Sequence, residues 1–219
     1  MVAIVLLALL AMAGYTAFAA ASVSQSLDNG RGELVAGEAG IAGAERSADT
    51  AAIGTAMARL KRAEQDFTDA QQRSSQDPAL RLLGGLPWSG SQVSASAHLG
   101  AIGADLSRAG EGAATVALQV AALRTQYAGR PLTPDDLQAV LQQAQTIAAS
   151  YKGSITQIGE QLKAAHAERA QVTTTDLIPP LANAYQEVDG ALTQADTAFT
   201  RYQDVKQLLS DLLGVPLSG

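Results

Sequence analysis

The chain has 219 residues, a net charge of −6 and no cysteine. Its 15 Lys and Arg residues are scattered along the chain, which disfavours a nucleic-acid partner. The absence of Cys removes disulfides, thiolate metal ligands and cysteine nucleophiles together. Apolar residues make up 47% of the chain, much of it alanine, and aromatics only 4%. Alanine favours helix but covers little area when buried, so long, closely packed helices suit this composition better than a thick core. No run of β-branched and aromatic residues alternates between turn signals. The expected fold is all-α: an N-terminal transmembrane helix followed by an elongated antiparallel helical bundle.

From Met1 to Leu27 there is no charged residue. Val2 to Ala21 supplies the roughly 20 apolar residues needed to cross a bilayer core. Residues 1–22 are therefore expected to form a membrane anchor. A cleaved signal peptide with Ala17-Phe18-Ala19 as its small-x-small site is the alternative, and a buried helix is a third reading. Anchor and signal peptide both place the remaining chain outside the cytoplasm. The expected location is the cell membrane, single-pass, with the bulk extracytoplasmic.

Residues 23–44 carry Gly30, Gly32, Gly37, Gly40 and Gly43. Glycine weakens a helix by about 1 kcal/mol relative to alanine, so this stretch reads as a pliable juxtamembrane helix or a partly ordered tether. Small residues three or four apart also permit close helix approach, a reading disfavoured outside a bilayer.

A bundle is expected over 45–214, with a tail at 215–219. Its first helix is expected from about Glu45 to Arg73, with Ile53, Met57, Leu60 and Phe67 on one face. Asp77-Pro78 then reads as a cap and first helical residue of a short helix over Ala79–Leu83. The segment Gly84-Gly85-Leu86-Pro87-Trp88-Ser89-Gly90 reads as a loop. Two regular seams follow. One runs Leu99, Ile102, Leu106, Ala109, Ala113, Val116, Val120, Leu123, Tyr127; the other runs Leu137, Leu141, Ala144, Ala148, Tyr151, Ile155, Ile158, Leu162. Alternating steps of three and four keep one face toward a partner helix. Gly129-Arg130-Pro131 ends the first of these helices. Thr133-Pro134-Asp135-Asp136 opens the second, and the short connection implies antiparallel neighbours. Pro179 and Pro180 open a last helix, with Leu181, Tyr185, Val188, Leu192, Ala195, Phe199 and Tyr202 on its seam, shifting through Val205 to Leu209 and Leu212. Such helices are about 45–50 Å long.

Candidate chemistry is sparse. His98 and His166 lack the spaced partners that a zinc site needs and read as surface or boundary residues. Asp135 and Asp136 could pair as metal ligands or acid and base, but a helix start accounts for them. Asp28, Asp49 and Asp66 stand isolated in the sequence. Tyr151, Tyr185 and Tyr202 read as core. No nucleotide-binding or nucleophile-elbow motif occurs. Trp88 is the one possible partner contact: a loop Trp can dock a partner or sit at a membrane interface, or it can plug one end of an alanine-rich bundle. No catalytic residue, metal or cofactor is expected.

The apolar N-terminal span, Ala63-x3-Phe67-x2-Ala70, the Leu86-Pro87-Trp88 loop, Pro131-Leu132-Thr133-Pro134-Asp135-Asp136-Leu137 and the closing Leu208-Leu209-Ser210-Asp211-Leu212-Leu213-Gly214 together have a familiar order. The chain resembles the N-terminal half of a bacterial membrane-anchored family, domain of unknown function family 4012. That resemblance implies architecture and location only, since the family has no assigned biochemistry. It also implies a second, α/β-type region after the Leu-Leu-Gly ending, so that a chain closing at Gly219 would lack its C-terminal domain. The expected function is a non-catalytic, membrane-anchored scaffold or stalk of the cell envelope. Its partners would be the membrane, envelope proteins or further copies of itself. A periplasmic four-helix sensory or small-ligand-binding module is the alternative. No second span follows Ala21 to return such a module's chain to the cytoplasm.

Overall fold

The computed structural model describes the backbone of residues 2–47, 49–86, 89–127 and 134–202, and side chains over 19–44, 49–86, most of 89–125, and 151–200. Within these residues the chain is all-α. The six helices are α1 (Val2–Ser47), α2 (Thr50–Gln76), α3 (Pro78–Gly84), α4 (Gly90–Tyr127), α5 (Pro134–Arg169) and α6 (Pro179–Tyr202).

The first boundary differs from expectation. Glu45 belongs to α1, and the break falls at Asp49, whose carboxylate accepts hydrogen bonds from the N–H groups of Ala51 (3.0 Å) and Ala52 (3.1 Å). Asp49 is thus an N-cap, satisfying donors that the first turn leaves free. Asp77 serves the next boundary twice. Its N–H closes α2 on the carbonyl of Arg73, and its side chain caps α3 through Ala79 and Leu80, with Pro78 in first place. The last helix opens at Pro179, as the sequence indicates.

The glycine-rich segment is helix, and it packs. An added Cβ at Gly37 would lie 2.8 Å from Leu60, at Gly40 3.0 Å from Ala56, and at Gly30 3.1 Å from Phe67. These glycines are notches for α2 rather than hinges of a tether. The close approach disfavoured above is the one adopted. The pairing order, Gly30 with Phe67 and Gly40 with Ala56, also makes α1 and α2 antiparallel.

Helix α4 lies at the centre of the bundle. Every residue from 99 to 107 is buried, so this stretch has no solvent face. It can be enclosed because Gly100, Ala101, Gly103, Ala104 and Ser107 are small. A Cβ on Gly103 would fall 2.5 Å from the Phe67 ring, and one on Gly100 would fall 2.8 Å from the Phe67 carbonyl oxygen. Gly110 meets Leu60, so α4 runs antiparallel to α2. On its other side Gly112 receives Ile158 of α5, and Gly159 of α5 receives Phe199 of α6. The expected seam residues Leu99, Ile102, Leu106, Ala109, Tyr151, Ile158, Leu162, Leu181 and Leu192 are all buried. Val205, Leu209 and Leu212 lie outside the described residues.

Direction therefore alternates through α1, α2, α4, α5 and α6. The C-terminus of α2, all of α3, the start of α4 and the α5–α6 connection come together at one end. That connection is held by Gln92, which donates to the Asp176 carbonyl (2.6 Å) and accepts from the Ile178 N–H (3.0 Å). Asp176 takes a left-handed backbone conformation, φ 65°, so the strap secures a turn that an L side chain disfavours. With equal rise per residue, Gln76 falls level with about residue 21 of α1. The earlier part of α1 runs on beyond the end of α2. The expected span over 2–21 falls largely where side chains are not described. Among the described residues no helix is long and apolar enough to cross a membrane.

The notches give a direct test. Gly103→Ala is expected to lower the stability of the bundle by about 1–3 kcal/mol through overpacking. Gly54→Ala, whose new Cβ meets nothing within 4 Å, is expected to raise it by about 0.5–1 kcal/mol through reduced chain entropy. Denaturant unfolding midpoints of the two variants should move in opposite directions.

Candidate functional site

Two polar regions stand out on this frame. The first is a charged seam between α2 and α4. Asp105 sits within the enclosed stretch of α4, with its side chain 12% exposed. It pairs with Arg108 one turn on, whose Nη1 donates at 2.8 Å. The Nε of Arg108 donates at 2.7 Å to Glu64 of α2, so one guanidinium ties two carboxylates on different helices. Glu111 extends the seam. Its Oε1 is buried and has no hydrogen-bond partner.

Burial pushes the carboxyls of both Asp105 and Glu111 above their ordinary range. For Asp105 the Arg108 charge and hydrogen bond offset part of that rise, and Glu168 adds to it. For Glu111 the neighbouring Glu64 adds to the rise, while Lys61 and Arg108 oppose it. The arrangement suits cohesion between helices. It presents acids and a cation but no nucleophile aligned with a base.

The second region is a solvent-open cleft of about 360 Å³ between α1 and α2, lined by Asp28, Asn29, Gly32, Glu33, Arg59 and Asp66. Arg62 and Arg59 engage Glu33 at 3.2 and 3.5 Å. Desolvation raises the Asp66 carboxyl, with Asp69 and Glu33 adding and Arg62 opposing. Asp28 and Asp66, isolated in the sequence, thus line the same cleft. Among the described residues no three His, Asp or Glu side chains gather so as to hold a metal ion.

Both histidines join helices. His98 Nδ1 lies 2.6 Å from Glu168 of α5, and His166 Nε2 lies 2.8 Å from Asp196 of α6. Tyr151 is buried, and Tyr185 packs beside the Arg169 guanidinium, 5.9 Å from ring centroid to Cζ. Arg169 also pairs with Asp189. Trp88 lies outside the described residues, as do the side chains of Asp135, Asp136 and Tyr202. The Glu64–Arg108–Asp105 seam was not anticipated. Its one local signal is an acid and a base at i and i+3 inside a run of small residues, and Glu64 is 44 positions away from Arg108.

No family model, curated protein or solved structure matches the chain.

A carboxyl raised on folding favours the native state in its protonated form. Its stabilising contribution is complete below the unfolded value and is lost as pH rises through the folded one. Glu111→Gln, which keeps the shape without the charge, is therefore expected to raise Tm at neutral pH. The gain should shrink as pH falls and disappear below about 4, where an unperturbed glutamate is protonated. Thermal melts of both proteins across about pH 3–7 check this.

Proposed function

We propose that the chain is a membrane-tethered, non-catalytic helical stalk of the cell envelope, with its bundle on the extracytoplasmic side. The observation that carries this reading is the relation between α1 and the bundle. About Ala21 is level with the end of α2, and the same helix continues N-terminally through residues uncharged and apolar in sequence, with Ala19 still buried in the core. They amount to about 28 Å of helix at 1.5 Å per residue, close to the hydrocarbon thickness of a bilayer. The elongated, antiparallel form of the bundle suits a spacer. Arg108 with Glu64 and the two histidine pairs are engaged in joining helices. The resemblance to the membrane-anchored family belongs to the same proposal.

Fractionation tests it. With a tag after Gly219, the chain should sediment with membranes, resist carbonate extraction and be cut by protease in intact spheroplasts. A tag found in the soluble fraction and shielded from protease would contradict both the tether and the location.

A further inference from the structure

Glu111 of α4 carries a carboxyl oxygen, Oε1, that is buried with no hydrogen-bond partner. Arg108, one turn earlier on the same helix, is committed elsewhere. Its Nε donates to Glu64 of α2 at 2.7 Å and its Nη1 to Asp105 at 2.8 Å. The Glu111 carboxyl instead faces that of Glu64, within hydrogen-bonding reach of it. Among the described residues, the charges that act on Glu111 are Glu64 and Lys61 of α2 and Arg108 of its own helix. The next residue back, Gly110, is where Leu60 of α2 packs closely on α4: a Cβ there would lie 3.1 Å from it. The two carboxyls thus meet across a tight part of the interface.

Two ionised carboxylates offer each other acceptors only. With both charged, they repel, and the buried oxygen of Glu111 stays without a donor, which is costly. One proton reverses both effects. An O–H between the carboxyls makes a charge-assisted hydrogen bond, the stronger kind, and joins α2 to α4. Glu64 already accepts from Arg108, so Glu64 is the acceptor and Glu111 carries the proton.

We propose that Glu111 and Glu64 share one proton, which latches α4 to α2 and lets this part of the seam loosen as pH rises. Every group involved lies within the bundle, so the proposal stands apart from the membrane reading. Burial, and after it the Glu64 charge, pushes the Glu111 carboxyl up. The latch is therefore closed below the folded-state value and lost as pH rises through it. Once the proton leaves, the repulsion is relieved when Glu111 turns out toward water, and the contact between the helices opens locally.

Two readouts test this on the full-length protein in detergent micelles. With the glutamate side-chain carboxyls isotope-labelled, NMR follows each resonance across about pH 3–9, so that the pair's coupled titration is seen whole. The resonance missing from Glu111→Gln is Glu111, and it should titrate above the range of an ordinary glutamate. In Glu64→Gln it should move to lower pH, because the like charge is gone and an amide N–H can donate to it. Burial alone would leave it in place. A Glu111 transition in the ordinary range, or one unmoved by Glu64→Gln, overturns the shared proton. Amide exchange, corrected for its intrinsic pH dependence, reads the latch. Above the transition, protection around residues 60–64 and 107–111 should fall in the parent protein and persist in Glu111→Gln. Unchanged protection in the parent across the transition overturns the latch. Helical circular dichroism verifies that both variants are folded, and the parent's own exchange profile decides without them.

Discussion

The bundle depends on how Phe67 is accommodated. Its ring fills the gap left by two glycines, Gly30 of α1 on one side and Gly103 of α4 on the other. No larger residue fits at Gly103 without moving the ring. An alanine-rich chain with only 3 Phe and 1 Trp cannot fill wide spaces between helices, so the helices must come together. The glycines let them do so, and one aromatic ring then spans what remains. Dispersion and burial rise with that proximity, which offsets the propensity each helical glycine loses.

The enclosure of α4 follows from the same geometry. Small residues on several of its faces allow α2 and α5 to approach together, leaving residues 99–107 without a solvent side. A charge in that stretch then needs local compensation, and Arg108 supplies it for Asp105 while reaching Glu64. Because Arg108 is partly exposed, the pairing chiefly fixes register between α2 and α4 and adds modestly to stability. Glu111, buried at one oxygen without a partner, is where this solution is least complete. Alternation of helix direction then gathers α3 and the α5–α6 connection at the end where α1 enters.

Much of the architecture was legible in the sequence because heptad seams report directly on which face is covered. Leu99, Ile102, Leu106 and Ala109 on α4, with Ile158 and Leu162 on α5, are buried as that spacing requires. The α2–α3 boundary was equally plain, since Asp-Pro carries both cap and first-turn geometry. The glycines of α1 were misread because a glycine in sequence looks the same whether it loosens a helix or admits a neighbour. Only the facing residue, Leu60 or Phe67, decides. The α1–α2 break was missed because Asp49 has no proline beside it and the apolar spacing continues across it. The charged seam and the Gln92 strap join residues 44 and 84 or more positions apart, and local patterns hold no information about such pairs.

Under the proposed tether, the bundle stands on the membrane with its α3 end down, and the heights of two positions on α2 test this directly. The chain has no native cysteine, so single fluorophores can be placed at Gln76→Cys and Gly54→Cys, both exposed on α2 and about 33 Å apart along the helix. Energy transfer to an acceptor on the lipid headgroups of reconstituted vesicles measures the height of each. An upright rod gives efficient transfer from position 76 and weak transfer from position 54. Equal transfer from both, or the reverse order, would contradict the orientation and the stalk with it.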